Sequence, residues 1–160
     1  MISYQKNLTT SSKMYLTHFY FLLAFLFCFN VSNAQNWNWQ NPLPQGVNLF
    51  SVHFTNANSG YAVGDDGVVL KTNDAGISWA HQNSGTTNGI SSVYFTDADT
   101  GYAVGSGGNL LKTTDGGLNW NLLPGVSISL SSVFFTSTNV GYAAGTNGSS
   151  ATIIKTNDGG

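Results

Sequence analysis

The sequence contains no arginine and no glutamate, and its five basic residues are all lysine. Seven aspartates oppose them, which gives a formal net charge of -2. With so few cations the chain lacks the basic surface of a nucleic-acid-binding protein, so nucleic acid is not expected as a partner. Aromatic residues (13%) and 19 glycines favour strands and turns over helices.

The N-terminal residues 1–34 predict a secretory signal peptide. Two lysines precede an apolar run at residues 19–31, and the small residues Ser32 and Ala34 follow it. This order is typical of a signal peptide, and the run is too short for a comfortable membrane span. Cleavage after Ala34 predicts a secreted or cell-surface protein with no membrane contact; an uncleaved anchor is the alternative.

The single cysteine, Cys28, lies inside this segment. Leu26 and Phe27, which precede it, do not fit the lipobox of a bacterial lipoprotein. The mature chain is therefore expected to have no disulfide bonds. It keeps three lysines and seven aspartates, a formal charge of -4.

The remainder of the chain is a repeat of about 40 residues, a period typical of propeller blades. Gly60, Gly101 and Gly141 mark equivalent positions 41 and 40 residues apart. The third unit carries extra residues, Asn-Gly-Ser-Ser-Ala, which we expect to lengthen a turn.

Each unit predicts four short strands, which in the first unit are residues 51–54, 60–64, 68–72 and 77–82. Turns rich in glycine and aspartate separate them, and no segment after the signal has helical periodicity. Four strands in about 40 residues indicate a β-propeller blade. The fold class is therefore all-β, an incomplete open arc of two to three four-stranded antiparallel blades, preceded by a signal-peptide helix.

Within residues 35–160 the predicted units are blades at 50–82 and 91–123 and a partial blade at 131–160. A lone fourth strand is predicted at 36–40, where Asn-Trp-Asn repeats the triplet that begins at Asn119. Because propellers have 4–8 blades, we expect this chain to be the front part of a longer protein, with its remaining blades as partners.

The segments Thr72–Trp79 and Thr113–Trp120 resemble the Asp-box of sialidase-type (BNR) repeats, Ser/Thr-x-Asp-x-Gly-x-x-Trp. Together with the Gly-Tyr-Ala strands they are similar to the repeats of the photosystem II assembly and stability factor family, which also occur in secreted bacterial proteins. The resemblance covers residues 36–160 and implies a propeller. A propeller is a scaffold for unrelated activities, so function needs separate evidence.

The resemblance implies a structural role for the Asp-box residues, away from the central axis. Each carboxylate is expected to bond the backbone of its own turn, and each tryptophan to pack between blades. The residues concerned are Thr72, Asp74, Gly76, Trp79, Thr113, Asp115, Gly117, Trp120, Thr156, Asp158 and Gly160.

No catalytic, cofactor or metal site is predicted. A sialidase would need an arginine cluster and a Tyr/Glu pair, which this sequence cannot supply. The aspartate pairs Asp65–Asp66 and Asp97–Asp99 could in principle serve glycoside hydrolysis, but both fall in predicted turns. His53 and His81 stand alone, without a second metal ligand at motif spacing.

Two functions remain open. The first is a secreted, non-enzymatic propeller that binds an unknown protein or glycan surface, or acts as a scaffold. The second is the N-terminal part of a sialidase-type glycoside hydrolase whose catalytic residues lie in further blades. Photosystem assembly itself is not assigned, because the basic, arginine-bearing face of those proteins is missing here.

Overall fold

The computed structural model describes Trp37 and residues Gly46–Gly160. The predicted signal peptide at 1–34 and the predicted lone strand at 36–40 lie outside the described residues, apart from Trp37, whose side chain is fully exposed. The chain divides into two units, and all described strands belong to the second, Trp39–Gly160. Within the described part, no helix has the length and apolarity to cross a membrane.

The described residues form three antiparallel sheets, each with its strands paired in chain order. The first sheet contains β1 (Leu49–Phe54), β2 (Gly60–Gly64), β3 (Val69–Thr72) and β4 (Ala80–Gln82). The second contains β5 (Ile90–Phe95), β6 (Gly101–Gly105), β7 (Leu110–Thr113) and β8 (Asn121–Leu122). The third contains β9 (Ser129–Phe135), β10 (Gly141–Asn147) and β11 (Ser150–Thr156). The all-β prediction of four-stranded propeller blades with an incomplete third is confirmed.

A bulge shapes the first strand of every sheet. In β5 the register shifts between Ile90 and Ser92, so Ile90, Val93 and Phe95 all turn to one buried face. An extra residue of this kind changes which side chains share a face of the strand. The same irregularity occurs in β1 and β9, which gives all three sheets equivalent apolar triplets.

Glycine at the start of each second strand leaves room for a phenylalanine ring. A Cβ at Gly101 would lie 2.5 Å from the ring of Phe95, closer than any side chain allows. The freed space lets Phe95 stack on Tyr61 of the first sheet, with ring centroids 3.8 Å apart. The sequence thus positions an aromatic contact between consecutive sheets.

Consecutive sheets stack through two buried clusters. The first joins Tyr61, Val63 and Val69 of the first sheet to Ile90, Val93, Phe95, Ala103, Leu111 and Trp120 of the second. The other joins Tyr102 and Val104 of the second sheet to Leu130, Val133, Phe135 and Ala143 of the third. The hydrophobic core of this unit therefore lies between blades, as in repeat proteins whose units cover one another's faces.

Two local details differ from the sequence prediction. The turns at Asp65–Gly67 and Ser106–Gly108 are single 3-10 turns, although no helix was expected in this part of the chain. The extra residues of the third unit do not simply enlarge a turn. They extend the β10–β11 hairpin until Asn147 pairs with Ser150, because unpaired backbone groups at a hairpin end gain partners by continuing the ladder.

Candidate functional site

The turns that follow β3 and β7 close on their own side chains. Thr72 Oγ1 donates to Asp74 Oδ1 (2.7 Å) and accepts from the backbone N–H of Gly76 (2.9 Å). Asp74 in turn accepts from the backbone N–H and the hydroxyl of Ser78. Thr72 is buried, so its hydroxyl has no access to water as an alternative partner.

The second turn repeats this geometry. Thr113 Oγ1 bonds Asp115 Oδ1 (2.8 Å) and the N–H of Gly117 (2.9 Å), and Asp115 accepts from Asn119 N–H (2.9 Å) and Nδ2 (2.8 Å). After β11, Thr156 bonds Asp158 at 2.8 Å in the same manner. We call these three segments the Thr-Asp turns; in each of them the carboxylate bonds within its own turn.

Hydrogen bonding stabilises the ionised form of all three turn aspartates. The side chain of Ser78, followed by its backbone N–H, lowers the pKa of Asp74 to about 2. The pKa of Asp115 is lowered mainly by its hydrogen bond from the backbone N–H of Asn119. The pKa of Asp158 is lowered mainly by its hydrogen bond from the hydroxyl of Thr156. Carboxylates with lowered pKa values are poor proton donors at neutral pH.

The two tryptophans of these turns differ in burial. Trp120 is 8% exposed and packs edge-on against Phe95, with ring centroids 5.9 Å apart. Trp79 is only half-buried, with Phe54 as its aromatic neighbour at 6.1 Å. We expected both to be largely buried. Trp79 differs because, among the described residues, no sheet covers its side of the first sheet.

A contact that the sequence analysis missed links each sheet to the next Thr-Asp turn. Tyr61 Oη and Lys71 Nζ both donate to the carbonyl of Gly116, each at 2.8 Å. The ammonium of Lys71 also lies 5.4 Å from the centre of the Tyr61 ring. Burial, with smaller contributions from Asp99 and Asp115, raises the pKa of Tyr61 to about 12, so its hydroxyl remains a donor.

The same contact joins the second sheet to the third. Tyr102 Oη and Lys112 Nζ donate to the carbonyl of Gly159, each at 2.6 Å. In the third sheet Lys155 Nζ lies 5.6 Å from the ring centre of Tyr142, so the donor pair is present there too. Tyrosine and lysine lie directly opposite each other on the second and third strands of every sheet. The recurrence of this pair in each repeat, 10 residues apart in the first two, was the available signal.

A cavity of about 110 Å³ lies between the second and third sheets. Its lining is almost entirely apolar. The main lining residues are Tyr102, Leu110, Leu123, Val133, Phe135 and Ile154. In the second sheet Trp120 packs in a cluster with Tyr61 and Phe95. Their equivalents in the next repeat, Tyr102 and Phe135, line the cavity, so the cavity lies at the position that corresponds to Trp120.

The other candidate residues stay within local structure. Asp97 Oδ1 accepts from the N–H groups of Asp99 (2.8 Å) and Thr100 (2.7 Å), which fixes its own loop. Asp65 Oδ2 accepts from Asn48 Nδ2 at 3.0 Å. No three potential metal ligands gather anywhere in the part of the chain that the structure describes.

His53 has an aromatic environment. Its ring centroid lies 4.9 Å from that of Tyr94, and burial lowers its pKa despite a backbone hydrogen bond with Phe95. Tyr94 makes the equivalent contact with Phe134 at 5.1 Å. His53 therefore occupies a packing position between sheets, which the other repeats fill with a larger aromatic ring.

Three solved structures resemble this fold. A YCF48 bound to D1 peptide shares 24% identity and a TM-score of 0.66 over 79% of this chain. YCF48 from Cyanidioschyzon merolae shares 30% identity and a TM-score of 0.60 over 76% of this chain. The GH74 enzyme of Niastella koreensis shares 23% identity and a TM-score of 0.54 over 70% of it.

The chain spans 43%, 38% and 21% of those three proteins, respectively. No curated protein matches its sequence significantly. The family described as photosynthesis system II assembly factor YCF48 matches residues 29–125, more than half of the chain. Stacked blades, repeated Thr-Asp turns and this match agree, and the chain belongs to the photosynthesis system II assembly factor YCF48 family.

Proposed function

We propose that this chain is an exported, non-enzymatic propeller module that binds a protein partner through the turns between second and third strands. A relative of the same fold was solved with a peptide bound, which supports a protein partner over a glycan. The proposal does not extend to photosystem assembly, because the chain has no arginine to form a basic face.

The observation that carries this proposal is a contrast between the two ends of the blades. The Thr-Asp turns have nearly the same sequence in every repeat. Their threonine hydroxyls and aspartate carboxylates form hydrogen bonds within the turn. The turns after the second strands read Asp-Asp-Gly, Ser-Gly-Gly and Thr-Asn-Gly. Since the fold tolerates such different residues there, these turns are free to serve recognition.

For the Thr-Asp turns we propose a structural role. Their carboxylates bond backbone N–H groups of the same turn, and their peptide groups accept the Tyr-Lys pair of the preceding sheet. A group held in this way is poorly placed to bind a ligand. The carboxylate of Asp97 is likewise engaged in its own loop, where it accepts from the backbone N–H of Asp99, and this supports a non-enzymatic module.

Export is supported by the sequence of residues 1–34, with its lysines, apolar run and small residues before the cleavage position. Production of the full chain in a bacterial host with an intact secretion system tests this. N-terminal sequencing of the exported protein is expected to begin at Gln35, and retention of Met1 on exported protein would contradict cleavage.

Partner binding is tested by selecting a phage-displayed random peptide library against the full chain. We expect enriched peptides, and synthetic copies of them should bind in calorimetry. The variant Asp66→Gly removes an exposed side chain from the first recognition turn. It should weaken the binding of at least one enriched peptide about tenfold if that turn makes one charge-assisted hydrogen bond to the peptide.

Asp66→Gly is well matched, because the second sheet carries Gly107 at this position with nearly the same φ, 67° against 56°. Unchanged thermal unfolding would show that the variant keeps its fold. The proposal fails if no peptide enriches, or if all enriched peptides bind the variant as well as the original. Release of reducing sugar from a polysaccharide panel would contradict the non-enzymatic assignment.

A further inference from the structure

The first strands of the three sheets carry different residues at one position between sheets. His53 of β1, Tyr94 of β5 and Phe134 of β9 each lie opposite the tyrosine of the second strand in their own sheet. Ring centroids are 4.9 Å apart for His53 and Tyr94 and 5.1 Å apart for Tyr94 and Phe134. A residue that can gain a positive charge near neutral pH therefore takes the place of an aromatic ring in the first sheet.

The interface between the second and third sheets shows what tyrosine does at this position. Tyr94 Oη donates to the carbonyl of Phe135 at 3.1 Å, and the two rings lie 6.1 Å apart. In the first interface the ring of His53 lies 6.1 Å from that of Phe95 and forms a hydrogen bond with the backbone of Phe95. The two interfaces thus have the same contact, made by an imidazole in one and by a phenol in the other.

A cavity of about 130 Å³ adjoins the imidazole between the first and second sheets. Its polar lining groups come from His53, Thr55, Thr96 and Asp97, at the ends of β1 and β5. Such a space is large enough and polar enough to hold water. Protons can therefore reach the ring of His53 from the solvent.

On its own sheet, His53 faces a phenol with charged groups around it. Its partner on β2 is Tyr61, and the ammonium of Lys71 lies 5.4 Å from the centre of that ring. Burial is the main cause that raises the pKa of Tyr61 to about 12, and the carboxylates of Asp99 and Asp115 add to it. Tyr61 therefore stays neutral while a histidine titrates.

On the second sheet, His53 faces the ring of Tyr94 and the carboxylate of Asp97, which lines the same cavity. Backbone N–H groups, first that of Thr100, lower the pKa of Asp97, so this carboxylate is anionic while a histidine titrates. A nearby anion favours the imidazolium form, but burial of the ring has the larger effect and lowers the pKa of His53.

We propose that His53 makes the interface between the first and second sheets open more readily as the pH falls from neutrality into the acidic range, while the second interface keeps its stability. Because burial lowers the pKa of His53, the closed interface binds a proton less readily than the opened one. Its stabilising contribution is present above the usual histidine pKa of 6.5 and is lost as the pH falls through the lowered value. Tyr94 and Phe134 do not gain a proton in this range, so the second interface lacks this response.

Two backbone amides report on the two interfaces separately. The N–H of Val93 donates to Ser51 Oγ across the first interface, at 3.3 Å. The N–H of Val133 donates to Ser92 Oγ across the second interface, also at 3.3 Å. Because each bond joins consecutive sheets, the hydrogen exchange of each amide measures the opening of one interface.

Hydrogen exchange of the full chain at about pH 7.5 and pH 5.5, followed by NMR and corrected for the intrinsic pH dependence of exchange, tests the proposal. Protection of the Val93 amide should fall on acidification by up to about tenfold, the limit reached if the closed interface takes up no proton. Protection of the Val133 amide should not change. His53→Tyr, which installs the residue of the second sheet, should abolish the response of Val93.

His81→Asn is the matched control, because it removes an exposed histidine from β4 and should leave the response of Val93 intact. His53→Phe, with the residue of the third sheet, replaces His53→Tyr if that variant does not fold. The proposal is overturned if Val93 has equal protection at both pH values, if Val133 responds as strongly, or if the response survives the substitution of His53. Greater protection of Val93 at pH 5.5 would also overturn it, because Asp97 would then hold the imidazolium in the closed interface.

Discussion

The two faces of the first sheet contain residues of one repeat pattern but have different surroundings. On the back, Tyr61 and Val69 are buried against the second sheet. On the front, Phe54 is 42% exposed, although its equivalent Phe95 in the second sheet is only 4% exposed. The difference shows that burial in this molecule depends on a neighbouring blade and not on the sequence of the blade alone.

The second sheet is the one described sheet with neighbours on both faces. Each of its faces contributes to a buried cluster. Its Gly116 carbonyl accepts from Tyr61 of the first sheet, and its own Tyr102 donates to the carbonyl of Gly159. In stacked repeats, stability is approximately a sum of unit and interface terms. Substitutions at equivalent positions in different sheets should therefore change the free energy of unfolding by different amounts.

The largest effect is expected for Phe95→Ala compared with Phe54→Ala. Phe95 loses its stack on Tyr61 and its contact with Trp120, so the free energy of unfolding should fall by about 3–5 kcal/mol. Phe54→Ala should cost at most roughly half as much, because part of that ring is already in water. Urea unfolding of the two variants measures the difference, and equal losses would contradict the role assigned to the neighbouring sheet.

Thr113→Val comes next, with Thr156→Val as its partner. Valine keeps the shape of Thr113 but leaves the N–H of Gly117 without its buried acceptor, which should cost about 1–3 kcal/mol. The equivalent bond of Thr156 is exposed, so water can replace the hydroxyl. Thermal unfolding should shift clearly for Thr113→Val and little for Thr156→Val; a reversed order would refute this account of the turns.

Tyr61→Phe should have a smaller effect, about 0.5–1.5 kcal/mol for one lost hydrogen bond. Lys71 still donates to the carbonyl of Gly116, so that acceptor is not left bare. Tyr142→Phe tests the other side of the comparison. At concentrations where the protein is a single copy, it should leave unfolding unchanged, since Tyr142 has no acceptor in the described residues.

The smallest effect concerns the exposed carboxylate of Asp74. Its pKa is lowered to about 2 by its turn, so its stabilising contribution is present above the pKa of the unfolded chain, near 4, and is lost as the pH falls towards 2. Asp74→Asn should flatten the loss of stability between about pH 4 and pH 2. Asp66→Asn removes an equal charge from an exposed turn and serves as the control; identical pH profiles for the two variants would contradict the argument.

The repeat pattern was sufficient to predict the strands, because alternation and glycine placement are local properties. The second strands Gly60–Gly64 and Gly101–Gly105 lie where the sequence indicated. The fourth strands are shorter than predicted, since Ile77 and Leu118 remain in the turn and only the residues after the tryptophan pair. Turn geometry that depends on side-chain hydrogen bonds determined those boundaries.

Contacts between repeats were harder to predict. Trp79 and Trp120 differ in burial because only Trp120 lies on a face that a neighbouring sheet covers. The sequence of a single repeat does not indicate which of its faces is covered. The Tyr-Lys donation to a glycine carbonyl joins residues 55 and 45 positions apart, as between Tyr61 or Lys71 and Gly116. Its three donor pairs were visible in the sequence, but their acceptor is a backbone group that no motif identifies.

Amide hydrogen exchange is the most direct test of the central claim that neighbouring blades stabilise one another. It compares three equivalent strands, β2, β6 and β10, in one experiment on the full chain at a concentration where it is a single copy. The account predicts the slowest exchange in β6, because the second sheet is covered on both faces, and faster exchange in β2 and β10. Equal protection of the three strands, or the fastest exchange in β6, would contradict it.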